Sequence, residues 1–365
     1  MRVSIIGPAY PLRGGISHHV YYLKRELTAQ GHLVQVVSFS KLYPTLLFPG
    51  STEFDTSTSG LDAKGEAILR TLNPLTWLRA FKAVTAFAPD VVIFQWWHSF
   101  FAPVIGTLAR AFRKKGIKCV LECHNVFSHE RTFLDAPLLT FAARPISSFI
   151  THSNKDRADL LTVVYGKNIN VCPLPVPDEF SGGFDNNRSG HTLLFFGTVR
   201  KYKGLEVLLA ALPKVLAQTE CQLLIVGEFY EPEEKYRQAI RDYGIEQHVQ
   251  IDNRYVPNEE ISSIFDQADA LVLPYLNATQ SAVARIALSN GLPLIASRTG
   301  GLAEIVVENV NGLLFPAGDA DALANQIVDF FTRKLGPEFS RNIQASSPVD
   351  SLRSIAGTLD RIVAG

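Results

Sequence analysis

Arg200 and Lys203 stand three residues apart in FFGTVRKYKGLEVLLAAL (195–212). Their loop leaves a short apolar run at Gly197 and enters a helical pattern at Gly204–Leu205. A guanidinium offers a planar fork, an ammonium a mobile point charge and a helix start free N–H groups, so the three together suit a diphosphate. The competing reading is a loop of solvated charges. Two other turns repeat the device. GPAYPLRGGISHHV (7–20) sets Gly14 and Gly15 directly before a helix, where glycine lets an anion approach the backbone, although a plain turn has the same pattern. SRTGGLAEIV (297–306) opens a helix at Gly300 and Gly301, and Glu304 in its first turn serves either the helix dipole or a ligand. His124, in ECHNVFSHE (122–130), follows a strand end, where a ligand contact and a structural role are both open.

The elements that hold these residues alternate in one rhythm. VSIIG (3–7), SHHVYYLKRELTAQG (17–31) and LVQVVSF (33–39) read as strand, helix, strand. VVIFQ (91–95), KCVLECH (118–124), SSFITHS (147–153) and INVCPLP (169–175) continue as strands. FSGGFDNNRSG (180–190) has no apolar period and reads as a linker, after which HTLLFFG, CQLLIVG, VQIDNRYV, ALVLPY, LPLIAS and GLLFP restart the alternation. Strands apolar on both faces belong in parallel sheets covered by helices. The expectation is an α/β chain of two Rossmann-like doubly wound domains, 1–180 and 181–346, with an amphipathic helix at 347–365 packing back on the first. Ligands of such sheets bind beyond the carboxyl ends of the strands, and two facing halves make a cleft.

Bulk composition agrees. A chain of 365 residues fits two domains of roughly 150–200 residues. Lys+Arg and Asp+Glu both number 35, which argues against a nucleic-acid binder driven by net charge. Cys119, Cys123, Cys172 and Cys221 are scattered and lack zinc-ribbon spacing, so buried thiols in a reducing, cytoplasmic setting are expected. The N-terminal apolar run is too short for a signal peptide, and no run is long enough to span a bilayer.

GGISHHV, FFGTVRKYKG, LIVG, YVPNEEI, ADALVLPY and NGLPLIASRTGGLAEIV occur in the order seen in family 4 glycosyltransferases, and the chain resembles that family over nearly its whole length. The resemblance implies the GT-B fold and metal-independent, retaining transfer of a sugar from a nucleotide-diphosphate sugar, of UDP or GDP type, to a hydroxyl. It implies no cofactor and no metal ligands. By position, Arg200 and Lys203 resemble the diphosphate pair, Gly15 the loop glycine facing the phosphates, and His124 the strand-end histidine near the transferred sugar. Gly14 and Gly197 belong to the same donor loops, and Asn253, Arg254 and Tyr255 to the segment lining the nucleobase.

One stretch departs from the pattern. Many members carry two glutamates eight positions apart, for a sugar hydroxyl and the ribose, and those positions are Ala278 and Ile286 in NATQSAVARIALSNG (277–291). The stretch resembles a branch with ATQS, which implies that Gln280 and Ser281 occupy the phosphate-facing turn as neutral donors and acceptors. Loss of both acids keeps open a non-catalytic nucleotide-sugar-binding or scaffold protein, and less readily a GT-B nucleotide-sugar 2-epimerase. Trp and Phe in 73–89 and 95–118, beside Arg110, Arg113, Lys114, Lys115 and Lys118, suit either a core helix with a solvated end or an anionic membrane surface. The second option implies peripheral attachment and a lipid-linked acceptor.

Overall fold

The computed structural model describes residues 1–44, 52–57, 65–128, 132–175, 191–346 and 351–364. The linker expected at 180–190 lies outside them. The chain divides into two compact units, Met1–Pro175 with Val349–Gly365, and Val176–Pro348.

The first unit is built on a seven-stranded sheet in the order β3-β2-β1-β4-β5-β6-β7. Its strands are β1 (Arg2–Ile6), β2 (Leu33–Lys41), β3 (Glu66–Arg70), β4 (Val91–Trp96), β5 (Lys118–Cys123), β6 (Ser148–Thr151) and β7 (Asn168–Val171). All pairings are parallel. β4, VVIFQW, is enclosed at every position, as expected of a central strand covered on both faces. Helices Pro74–Phe87 and Ala102–Lys114 supply Ala80, Val84, Leu108 and Phe112 to the core on one face. On the other, helices Gly15–Ala29 and Ser351–Ala364 meet Val3, Ile5 and Ile93 through Val20, Leu23, Ile355, Ala356 and Leu359. Lys118 Nζ donates to the carbonyls of Ile362 at 2.8 Å and Val363 at 2.9 Å, satisfying acceptors that a helix end leaves open.

The second unit holds six parallel strands in the order β10-β9-β8-β11-β12-β13. These are β8 (Thr192–Phe196), β9 (Gln222–Val226), β10 (Val249–Asp252), β11 (Ala270–Leu273), β12 (Leu294–Ser297) and β13 (Gly312–Phe315). Helices Leu205–Leu216 and Ala320–Thr332 pack on one face, and Asn258–Phe265 and Ala282–Ser289 on the other. The direction in which strands are added reverses between β1 and β4 in the first sheet and between β8 and β11 in the second. Loops leaving a sheet at such a reversal splay apart and open a crevice.

The aromatic residues of 95–118 are mainly core: Trp96 is 1% exposed, and Phe101 and Phe112 are fully enclosed. Arg110 lies over the Phe141 ring at 3.9 Å. Exposed apolar side chains sit instead around the Pro74–Phe87 helix, at Leu72, Leu75 and Leu78. All four cysteines are buried free thiols, and burial pushes Cys119 and Cys221 up to about 12.

Candidate functional site

In the second unit, the candidate residues gather at the carboxyl end of β8. The chain turns at Gly197 in a left-handed conformation (φ 94°), passes Arg200 in an extended one, and makes a single 3-10 turn, Lys201–Lys203. Gly204 (φ 68°) then starts the Leu205–Leu216 helix. A Cβ on Gly204 would stand 2.0 Å from the Pro274 carbonyl oxygen, so this approach between the loops after β8 and β11 admits glycine alone. Leu276 N–H donates to the Tyr202 carbonyl at 2.7 Å and ties the same two loops together.

The tight turn places Lys203 inside the protein at 7% exposure, its Nζ against the α-carbon of Gly197 and 5.7 Å from the Tyr275 ring centroid. Burial, joined by the Arg200 charge, pulls Lys203 down from 10.5 to about 7. Arg200 stacks its guanidinium 4.6 Å from the Tyr230 ring centroid. Neither cation makes an ion pair with a carboxylate of the described residues. Buried cations are ordinarily paired. Among the described residues this pair has no carboxylate partner.

The loops after β11 and β12 meet where Thr279 and Gln280 pack on Gly301. Ser281 caps the Ala282–Ser289 helix, its hydroxyl accepting from Ala284 N–H at 3.2 Å. Gly301 N–H donates to Thr279 at 2.9 Å, and Gln280 lies against the Gly301 α-carbon. Gly300 packs so closely on Ala278 that a Cβ would fall 1.5 Å from its carbonyl oxygen. Glu304 is exposed on the four-residue helix Leu302–Ile305. The two acid-free positions are filled by core: Ala278 is 3% and Ile286 8% exposed, within the apolar cluster under β11 and β12.

Asn253, Arg254 and Tyr255 follow β10 at the sheet edge. The Asn253 carbonyl accepts from Phe229 N–H at 3.1 Å, and its amide donates to Glu233 at 2.5 Å. Arg254 is engaged by Asp252 at 2.9 Å and Glu260 at 2.6 Å, so its charge is neutralised by the strand and helix that flank its loop. Arg285 in the Ala282–Ser289 helix escaped sequence reasoning. Burial lowers its pKa, and its Nε is enclosed without a hydrogen-bond partner.

In the first unit, Gly14 (φ 114°) and Gly15 are exposed at the start of the first helix, with nothing within 4 Å of a Cβ on Gly14. His124 directly follows β5 and joins a buried polar cluster that no single segment announced. Glu122 accepts from His19 Nε2 at 2.7 Å and from Gln95 Nε2 at 2.8 Å, and the Gln95 carbonyl lies 2.6 Å from His124 Nε2. His152 Nδ1 donates to the Cys172 carbonyl at 2.8 Å. Burial alone would raise the Glu122 carboxyl, but His19, His152 and His124 outweigh it and hold Glu122 well below the usual carboxylate range. Burial, with His19 and His152, pushes His124 well below its ordinary value against the opposing pull of Glu122. One ring nitrogen from each of His19, His124 and His152 lies within 4.8 Å of the other two.

Two family models match the chain in succession: Glycosyltransferase Family 4 over residues 13–180, and Glycosyl transferases group 1 over 190–333. The chain belongs to the group 1, family 4 glycosyltransferases. This glycosyltransferase-family chain is 31% identical over 176 residues to a D-inositol 3-phosphate glycosyltransferase from Corynebacterium efficiens, a match spanning 44% of the chain and 41% of that relative. It is 23% identical over 340 residues, 90% of its length and 84% of the relative's, to a phosphatidyl-myo-inositol mannosyltransferase from Mycolicibacterium smegmatis. The sucrose-phosphate synthase of Thermosynechococcus elongatus superposes with a TM-score of 0.74 at 20% identity, covering 99% of this chain and 98% of that one. HepE of Anabaena, solved in complex with UDP, superposes with a TM-score of 0.73 at 17% identity over 99% and 100% of the chains. The fold is GT-B.

Proposed function

We propose that the chain is a retaining glycosyltransferase that moves a sugar from a nucleotide-diphosphate sugar to a hydroxyl without a metal ion. The observation that carries this reading is the Arg200–Lys203 pair, two cations on one loop, one of them buried, without an ion-paired carboxylate among the described residues. A diphosphate supplies the missing charge. As the sugar–phosphate bond breaks, negative charge grows on the leaving diphosphate. A preorganised guanidinium and ammonium, with the amides at the Gly204 helix start, stabilise that charge more in the transition state than in the ground state. The leaving phosphate oxygen takes the acceptor's proton, and His124 holds the donor sugar. By the family resemblance, the turn at Gly14 and Gly15 would offer its backbone N–H groups to a phosphate. Gln280 and Ser281, in the ATQS-type stretch, stand at the phosphate-facing turn as neutral groups in place of the acids.

UDP is the first donor base to test, because HepE, a fold relative, was solved with it. Thermal shift against UDP, GDP and their sugars reads the donor, since a tight ligand stabilises by mass action. Loss of stabilisation by every diphosphate would refute the assignment. Burial of Ala278 and Ile286 in core supports a second reading, a non-catalytic sugar-nucleotide binder. Release of free nucleoside diphosphate on adding acceptor separates the two, and binding without turnover across many acceptors would favour the binder.

For the acceptor, the exposed Leu75, Leu78, Arg79 and Lys82 on the Pro74–Phe87 helix support peripheral contact with an anionic membrane and a lipid-linked acceptor. Cosedimentation with phosphatidylglycerol vesicles at low salt tests it. Equal pelleting of wild type and Leu75→Glu/Leu78→Glu would discard that surface.

A further inference from the structure

The cluster behind His124 is a directional relay. Glu122 is fully enclosed in β5, in register with Gln95 of the neighbouring β4, and as a carboxylate it can only accept hydrogen bonds. The Gln95 amide must therefore turn its NH₂ toward Glu122, which leaves its carbonyl facing His124. A carbonyl also only accepts, so His124 Nε2 carries the hydrogen. A neutral imidazole has one hydrogen, so the lone pair falls on Nδ1. The rest of the relay is closed off, with Glu122 at 0%, Gln95 at 1%, His152 at 2% and His19 at 4% exposure, while His124 keeps 8%. Of the five residues, His124 is the least enclosed.

We propose that Glu122 and Gln95 are positioning residues that lock His124 as its Nε2–H tautomer, so that Nδ1 serves as a hydrogen-bond acceptor for a hydroxyl of the bound sugar. This use of the lone pair rests on the glycosyltransferase reading; the lock itself does not. A histidine so held gives no proton to a phosphate or leaving group. It discriminates for a hydroxyl donor and against an oxygen that can only accept.

The test is nitrogen NMR of protein labelled with ring-¹⁵N histidine, with His124 assigned by comparison with His124→Asn. Wild type is expected to show one Nε2–H pattern for His124, unchanged between roughly pH 6 and 9, although His19, His152 and Glu122 all face the ring. Gln95→Met keeps the volume, removes both amide bonds and leaves the Glu122–His19 bond in place. It should give mixed tautomers at His124 and a fall in kcat on the order of tenfold or more, with a smaller change in the KM for donor. Glu122→Gln adds a second reading of the lock if it retains a cooperative melt. An Nδ1–H pattern in wild type, an unchanged tautomer in Gln95→Met, or one equivalent of zinc in the purified protein would overturn the lock. A tautomer shift in Gln95→Met alongside a wild type with no sugar transfer would keep the lock and sink the glycosyltransferase reading instead.

Discussion

Lys203 makes diphosphate binding a proton-uptake reaction. Burial leaves the free protein's ammonium with a pKa of about 7, so at pH 8 only about a tenth of the molecules carry the charge. A bound diphosphate demands the charged form and lifts the pKa back toward its ordinary value. Binding at pH 8 should then take up about 0.9 proton, falling to about 0.5 at pH 7, and affinity should drop nearly tenfold per pH unit above 7. Calorimetry of UDP, whose phosphates are fully ionised at pH 8, in buffers of different ionisation enthalpy reads the uptake as a slope. The stability consequence has a definite sign. The folded pKa lies below the unfolded one, so the folded state bears the full cost of a buried ammonium below pH 7, on the order of 5 kcal/mol. That cost fades as pH rises toward 10.5, and between pH 7 and 9 the free wild type should gain about 2 kcal/mol relative to Lys203→Met. Tight UDP binding at pH 8 with zero uptake, or the same uptake in Lys203→Met, would refute the reasoning.

Arg200→Ala should weaken diphosphate binding by about 2 kcal/mol, near thirtyfold, because a charge-assisted contact is lost while Lys203 remains; calorimetry against UDP reads it. Gly204→Ala places a Cβ where the Pro274 carbonyl already stands, and chemical denaturation should show a loss of at least about 2 kcal/mol. Ile286→Glu puts a carboxylate into the core at the position where the family resemblance leads one to expect an acid. It should lower stability by about 3 kcal/mol without improving UDP affinity, and a stable variant with tighter binding would contradict the packing.

Much of the fold was legible because parallel strands announce themselves. β4, β8 and β11 each carry a continuous apolar run, and Gly197 and Gly227 mark where the chain turns after β8 and β9. β3, EAILR, was not legible: as a half-solvated edge strand it lacks a continuous apolar run. Arg200 and Lys203 were readable as neighbours, since one loop carries both. Burial of Lys203 was not, because it depends on Gly204 meeting Pro274 from a strand far along the chain. Glu122 lay unnoticed beside His124 for the same reason. Its partners come from the first helix, β4 and the end of β6, and no local pattern joins them. The aromatic residues of 95–118 were open between core and membrane, and only packing decides that Phe101 and Phe112 face inward.

The Ser351–Ala364 helix, lying against Val3, Ile5 and Val20, bears on the order in which the protein can be completed. As the chain emerges during synthesis, the first sheet forms with one apolar face still partly bare. The second unit, Val176–Pro348, must be made in full before the covering helix exists. In the order of synthesis the second unit is an insertion between two pieces of the first. The first unit therefore waits on its partner's translation while holding exposed apolar surface, the condition in which chaperones engage nascent chains.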